Sequence, residues 1–284
     1  MKKNLVKKAV LPVFVALLCS VIALTSVSYA WFSLGNKATV EGMEMNVTTA
    51  DGLQISLTGD ASDFKSTLDL DLTDEKAKTV NPVSTNGTYA SGLTFYTGQI
   101  VDGKLDKVAV DTAATNYITF DIYVKVTSDT KLLLDSDSAV TIKGEKETYL
   151  AARVAFVDLG SKEKPADAKN LNPTEGTVRI WEPNSDKRSK AAANANAGTG
   201  KLAYEGIASV EGGTVSTNNV TTFDFIDTNA GKSVELFELE AGYNKVRVYI
   251  WLEGQDVDCV NEVSGGAFTV TLKLSKPQAQ NPQA

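Results

Sequence analysis

The sequence predicts an all-β protein, an antiparallel jelly-roll-like β-sandwich with short helices in its loops, preceded by a helical signal segment. Residues 118–126, 246–252 and 268–274 each place an apolar residue at every second position. This period is typical of a strand that packs one face on a core and exposes the other. Such strands favour an antiparallel sandwich over a parallel α/β sheet. We expect a single sandwich of about eight to ten strands over residues 31–275.

The first two strands are predicted to form a hairpin. Apolar residues alternate with polar ones over 43–47 and again over 53–57, and Asp51-Gly52 lies between the two runs. Asp-Gly favours a tight turn because both turn positions prefer positive φ.

The remaining elements are shorter. Further strand-like runs occupy residues 93–101, 152–160, 176–184, 221–227 and 234–240. Residues 145–152 are a helical candidate, and the Lys/Ala/Asn-rich residues 185–200 are interpreted as a surface insertion. Residues 277–284 form a polar, uncharged stretch after Lys276, and residues 276–284 are expected to be a disordered tail.

The N-terminus has the order of a secretory signal. Four lysines precede sixteen residues without a charge, and Ser28 and Ala30 then occupy the −3 and −1 positions of a cleavage site before Trp31. We expect residues 1–30 to be removed by a signal peptidase, which places the protein outside the cell or on its surface.

Two other interpretations of the leader remain. An apolar run of this length spans only about 24 Å of a roughly 30 Å hydrocarbon core, but extension through Phe32 would make a retained anchor long enough. A lipoprotein is disfavoured because Leu18, and not a small residue, precedes Cys19.

Composition excludes several functions. Cleavage removes four lysines and no acid, so the net charge changes from −7 to about −11, which disfavours nucleic acid as a partner. Cys259 becomes the only cysteine, so no intrachain disulfide forms.

The sequence has no histidine, which excludes His-based triads and zinc sites of the HExxH type. No phosphate-binding loop or GxSxG motif is present. We therefore predict no enzyme activity and no cofactor.

Two acid-based alternatives remain open. Calcium binding could use oxygen-rich clusters, of which the loop after Trp251 is the best candidate. These clusters are Asp69, Asp71, Asp74 and Glu75; Asp135 and Asp137; and Glu253, Asp256 and Asp258. A glycosidase pair of carboxylates is the second alternative, although no pair stands out among 35 acidic residues.

Three aromatic residues suggest a glycan-binding surface. Tyr249 and Trp251 share the polar face of one predicted strand, and Trp181 lies on another. Stacked sugars or cross-strand aromatic pairing would each explain them. A surface adhesin or glycan-binding module is therefore the alternative function.

The start of the mature chain suggests self-association. Trp31, Phe32 and Leu34 are apolar, and the alternation that follows shifts its phase at Gly42, where we expect a bulge or hinge. Residues from Trp31 to Val40 could fold back as an edge strand of their own sheet. Alternatively, they could pair with a neighbouring copy by strand donation.

The cleavage junction resembles that of the TasA and camelysin family of exported Gram-positive proteins. The matching residues are Ala30, Phe32, Asn36, Thr39, Gly42 and the apolar alternation of Met43, Met45 and Val47. The resemblance implies a jelly-roll-like sandwich and a structural role at the cell surface or in the biofilm matrix, with assembly into filaments. The metalloprotease activity described for camelysin is not expected in a chain without histidine.

Overall fold

The structure, a computed structural model, describes the following residues: 38–47, 53–68, 78–101, 104–112, 115–183, 205–211, 214–219, 225–226, 232–254, 259 and 264–277. The predicted signal segment, the insertion at 185–200 and the tail beyond 277 lie outside them. None of the described helices is long and apolar enough to cross a membrane.

The described residues confirm an all-β fold. Two short helices accompany the strands: a 3₁₀ helix at Thr148–Ala151 and the α-helix α1 at Pro165–Lys169. The strands are β1 (Ala38–Val47), β2 (Gln54–Ser56), β3 (Thr67–Leu68), β4 (Lys78–Val80), β5 (Ser84–Tyr89), β6 (Leu93–Val101), β7 (Lys104–Val110), β8 (Ile118–Val126), β9 (Thr130–Leu134), β10 (Ala139–Lys143), β11 (Ala152–Lys162), β12 (Thr177–Trp181), β13 (Glu205–Glu211), β14 (Thr214–Asn219), β15 (Phe225–Ile226), β16 (Val234–Leu239), β17 (Gly242–Leu252) and β18 (Gly266–Ser275).

Two large sheets enclose the main core. Sheet A has seven strands in the order β16-β9-β18-β1-β3, with β10 also paired to β18 and β4 also paired to β1. Sheet B has six strands in the order β15-β12-β11-β17-β8-β2. The predicted strand count was therefore too low. Most pairs are antiparallel, but β1 runs parallel to β18 and β12 runs parallel to β15.

The predicted inward faces are confirmed. The apolar residues of β8, β17 and β18 pack into one core between sheets A and B, together with β9, β11 and Trp181. In β18, buried and half-buried residues alternate strictly along the strand.

The hairpin predicted at Asp51-Gly52 is wrong. β1 belongs to sheet A, whereas β2 pairs with β8 in sheet B. Leu53 and Ile55, the apolar residues at the start of the second run, are buried in the main core. Alternation alone does not specify which strands pair.

A third layer covers the outer face of sheet B. β5, β6 and β7 form the three-stranded sheet C, and β13 pairs with β14 as a separate hairpin. Apolar residues of sheet C pack on β11, β12 and β17 in a second core. The outer face of β17, predicted to be solvated, is therefore buried for part of its length.

The helices are only partly predicted. The 3₁₀ helix lies within the candidate stretch 145–152. α1 was not predicted, and it begins with Pro165 in its first turn, where a missing N–H costs nothing.

Candidate functional site

The first strand lies inside sheet A. Ala38–Val40 pairs with β4 on one side and with β18 on the other. Further along, Asn46 pairs with both β3 and β18. Both alternatives are therefore wrong for residues 38–40. These residues have neighbours on both sides, so they form no edge, and both neighbours belong to their own chain, so they are not donated to another copy. Residues 31–37, which include the donation candidates Trp31, Phe32 and Leu34, lie outside the described residues, as does the Ala30–Trp31 cleavage site.

The bulge predicted at Gly42 is confirmed. Val40 pairs with Phe268 and Gly42 pairs with the very next residue of β18, Thr269. Glu41 is therefore an extra residue in β1. The extra residue compensates for the shift in the apolar alternation at Gly42. The residues before and after the bulge therefore both stay in register with β18.

The predicted glycan-binding aromatics are buried. Trp251 is 1% exposed and Trp181 is fully enclosed in the main core. Phe95 of sheet C lies edge-on to Trp251, with ring centroids 5.4 Å apart, and stacks on Tyr117 at 4.2 Å. Tyr249 accepts a hydrogen bond on its hydroxyl from the backbone N–H of Leu93, at 3.3 Å. Tyr249 and Trp251 are core aromatics beneath sheet C, and Trp181 belongs to the main core, so the interpretation of an exposed sugar platform is wrong.

A buried ion pair lies next to this aromatic cluster. The Arg153 guanidinium on β11 donates to a Glu182 carboxylate oxygen at 2.7 Å, and the two side chains are 1% and 7% exposed. The indole N–H of Trp251 donates to Glu253 at 3.1 Å. Breaking such a pair leaves a buried charge, at a cost of about 3–5 kcal/mol. This arrangement was not predicted, although a charged residue inside the apolar run of β11 was a signal for it.

A second charged network joins sheet B to the loop that contains α1. Arg247 donates to both carboxylate oxygens of Asp121, at 2.6 and 3.0 Å, and the Lys245 ammonium lies 3.1 Å from the same carboxylate. Lys245 also donates to the carbonyls of Lys169 and Leu171, at 3.1 and 2.8 Å. Burial alone would raise the pKa of Asp121, but the bonds and charges of the two cations outweigh it and lower that pKa. The network was not predicted.

Three further carboxylates make hydrogen bonds to the backbone or an ion pair. Asp135 accepts the backbone N–H of Asp137, and Asp137 pairs with Lys273 at 3.1 Å. Burial raises the pKa of Asp158, despite a hydrogen bond from the Gly160 N–H. No group of three or more acidic or cysteine side chains in the described part of the chain is placed to hold a metal ion.

Most of the other predicted calcium ligands lie in parts of the chain that the structure does not describe. Residues 69–75 and 256–258 lie outside the described residues, so only Glu253 of the loop after Trp251 is described. Cys259 is buried in the main core.

No protein-family model, curated protein or solved structure matches this chain.

Proposed function

We propose that this protein is an exported structural component of a cell surface or extracellular matrix, and that it assembles by strand donation. In this proposal a signal peptidase removes residues 1–30. Residues 31–37, which we call the donor segment, then pair with a neighbouring copy. The protein has neither catalytic activity nor a cofactor. The leader, the lack of histidine and the resemblance to the TasA and camelysin junction support these steps.

The observation that carries the proposal is the way β1 begins. β18 starts at Gly266 and β4 ends at Val80, and both of these residues pair with Ala38. Both neighbours of β1 therefore stop at the level where β1 starts. If the donor segment continues along the axis of β1, it extends beyond the end of sheet A, where neither β18 nor β4 can pair with it.

The donor segment carries enough apolar surface to drive association. Phe32 and Leu34 lie two residues apart and so share one face of a strand. Their burial would contribute about 2–3 kcal/mol each, and main-chain hydrogen bonds would add to this. A contact in which one copy donates and the next accepts is heterologous, so it can propagate as a filament.

Two measurements test this function. First, intact mass spectrometry of the exported protein should give a chain that begins at Trp31, and the full 30.3 kDa chain in the membrane fraction would contradict export with cleavage. Second, sedimentation velocity should show large assemblies for residues 31–284 and folded monomers for residues 38–284. Equal assembly of the two chains would refute donation by residues 31–37.

A further inference from the structure

We infer that the acceptor for the donor segment is the outer edge of β10 in sheet A of the neighbouring copy. The inference rests on the proposed function and specifies where the two copies meet.

Within the part of the chain that the structure describes, β10 has a strand on one side only. Its five residues pair with β18, from Ala139 opposite Thr271 to Lys143 opposite Ala267. No other strand among the described residues pairs with β10. A sheet edge of this kind offers backbone N–H and C=O groups to an added strand.

The core is incompletely covered at this edge. Val140 and Ile142 pair with Val270 and Phe268, and directly opposed residues of a sheet point to the same face. Phe268 is fully buried, but Ile142 on the same inward face is 39% exposed. Ile142 is one of two large hydrophobic side chains that are exposed among the residues whose side-chain burial is described. A strand added at this edge would extend the inward face of sheet A beyond β10 and cover Ile142.

The donor segment matches this edge in length and phase. It has seven residues against the five of β10, and Phe32 and Leu34 are two residues apart, as are Val140 and Ile142. Residues two apart lie on one face of a strand. With Ser33 opposite Thr141, Phe32 and Leu34 therefore lie beside the two inward apolar residues.

Charge also matches in this register. Lys37 is the only charged residue of the donor segment. With Ser33 opposite Thr141, Lys37 extends past the end of β10. It points toward Asp137, in the turn before β10, if the added strand is antiparallel, and toward Glu145, in the bend after β10, if it is parallel. Each direction thus brings opposite charges together.

Topology favours a second copy over the donor's own β10. Ala38 pairs with the first residue of β18, and Lys143 pairs with the second, so β1 begins and β10 ends at the same end of sheet A. To reach the outer edge of its own β10, the donor segment would have to cross both β18 and β10, about 14 Å across three strand spacings, and reverse its direction. A reversal takes about two to five residues, which leaves too few of the seven to pair along β10.

The test uses the mature chain, residues 31–284, in a Cys259→Ser background. Ile142→Lys should abolish assembly in sedimentation velocity. Val110→Lys, at the other exposed hydrophobic residue, 46% exposed on β7, should assemble as the parent does. Circular dichroism melts of both variants check that each is folded.

Crosslinking gives a readout that does not depend on the Ile142→Lys variant folding. With an Ile142→Cys chain, disulfide heterodimers should form on mild oxidation with Leu34→Cys if the added strand is parallel and with Phe32→Cys if it is antiparallel. Mixtures of the same two chains with Val110→Cys should give a yield at least several-fold lower, because a disulfide requires the two Cβ atoms within about 4.5 Å.

The outcomes separate the two claims. If residues 38–284 assemble as well as residues 31–284, the proposed function fails and the acceptor is irrelevant. If the truncation prevents assembly, but Ile142→Lys still assembles or both Ile142→Cys crosslinks stay at the level of the Val110→Cys controls, then donation stands and β10 is the wrong acceptor.

Discussion

Replacement of Asp121 by asparagine should destabilise the protein by much more than the loss of an exposed ion pair. Asp121 is 22% exposed and Lys245 is only 5% exposed. The Lys245 ammonium contacts the Asp121 carboxylate and two backbone carbonyls. Removal of the carboxylate leaves Lys245 buried and Arg247 without its bidentate partner. A fully buried broken pair costs about 3–5 kcal/mol, and partial exposure reduces our expectation for Asp121→Asn to about 2–3 kcal/mol.

The matched control is Glu235→Gln. Glu235 pairs with Lys131 across two strands of sheet A, and these side chains are 39% and 47% exposed. Solvent screening limits such a pair to less than about 1 kcal/mol. Urea unfolding at pH 7 measures both variants. Equal losses of unfolding free energy for the two would refute the argument from burial.

The effect of Asp121→Asn should depend on pH in a defined direction. The folded-state pKa of Asp121 is lowered. Its contribution to the unfolding free energy is therefore fully present above the unfolded-state pKa of about 3.9 and is lost as the pH falls through the folded-state pKa. The difference in unfolding free energy between the parent and Asp121→Asn should stay constant from about pH 7 to 5 and narrow below about pH 4. A difference that stays constant down to pH 2 would contradict an ionised Asp121 as its cause.

Three further predictions concern the packing. Trp251→Ala should lower the unfolding free energy by about 3–5 kcal/mol in urea unfolding, as expected for a core aromatic and not for a surface sugar platform. Gly266→Ala should lower the melting temperature, because its Cβ would overlap Thr148 Oγ1, whereas Gly92→Ala, whose Cβ would lie 3.8 Å from the Tyr249 hydroxyl, should be nearly neutral. Cys259 should resist a thiol reagent in the native mature chain and react rapidly in urea, because it is 3% exposed; equal rates would contradict its burial.

Local patterns predicted the inward faces because burial on one face leaves a direct trace in the sequence. The alternation over 268–274 identified four residues that are all fully buried. The phase shift at Gly42 likewise predicted a bulge, because one extra residue exchanges the two faces of a strand. Both signals lie within about ten residues of sequence.

Partners far apart in sequence were not predictable in this way. Nothing near β1 shows that it lies parallel to β18, more than 200 residues later. Tyr249 and Trp251 are amphipathic, so their residue types fit a wet face as well as a third layer. The Asp121–Arg247 contact joins positions 126 residues apart, and each alone resembles an ordinary surface charge.

Negative-stain electron microscopy of the purified mature chain tests assembly by strand donation most directly. Residues 31–284 should form filaments that lengthen with protein concentration, and residues 38–284 should appear only as separate particles under the same conditions. Separate particles for both chains, or identical filaments from both, would contradict the account.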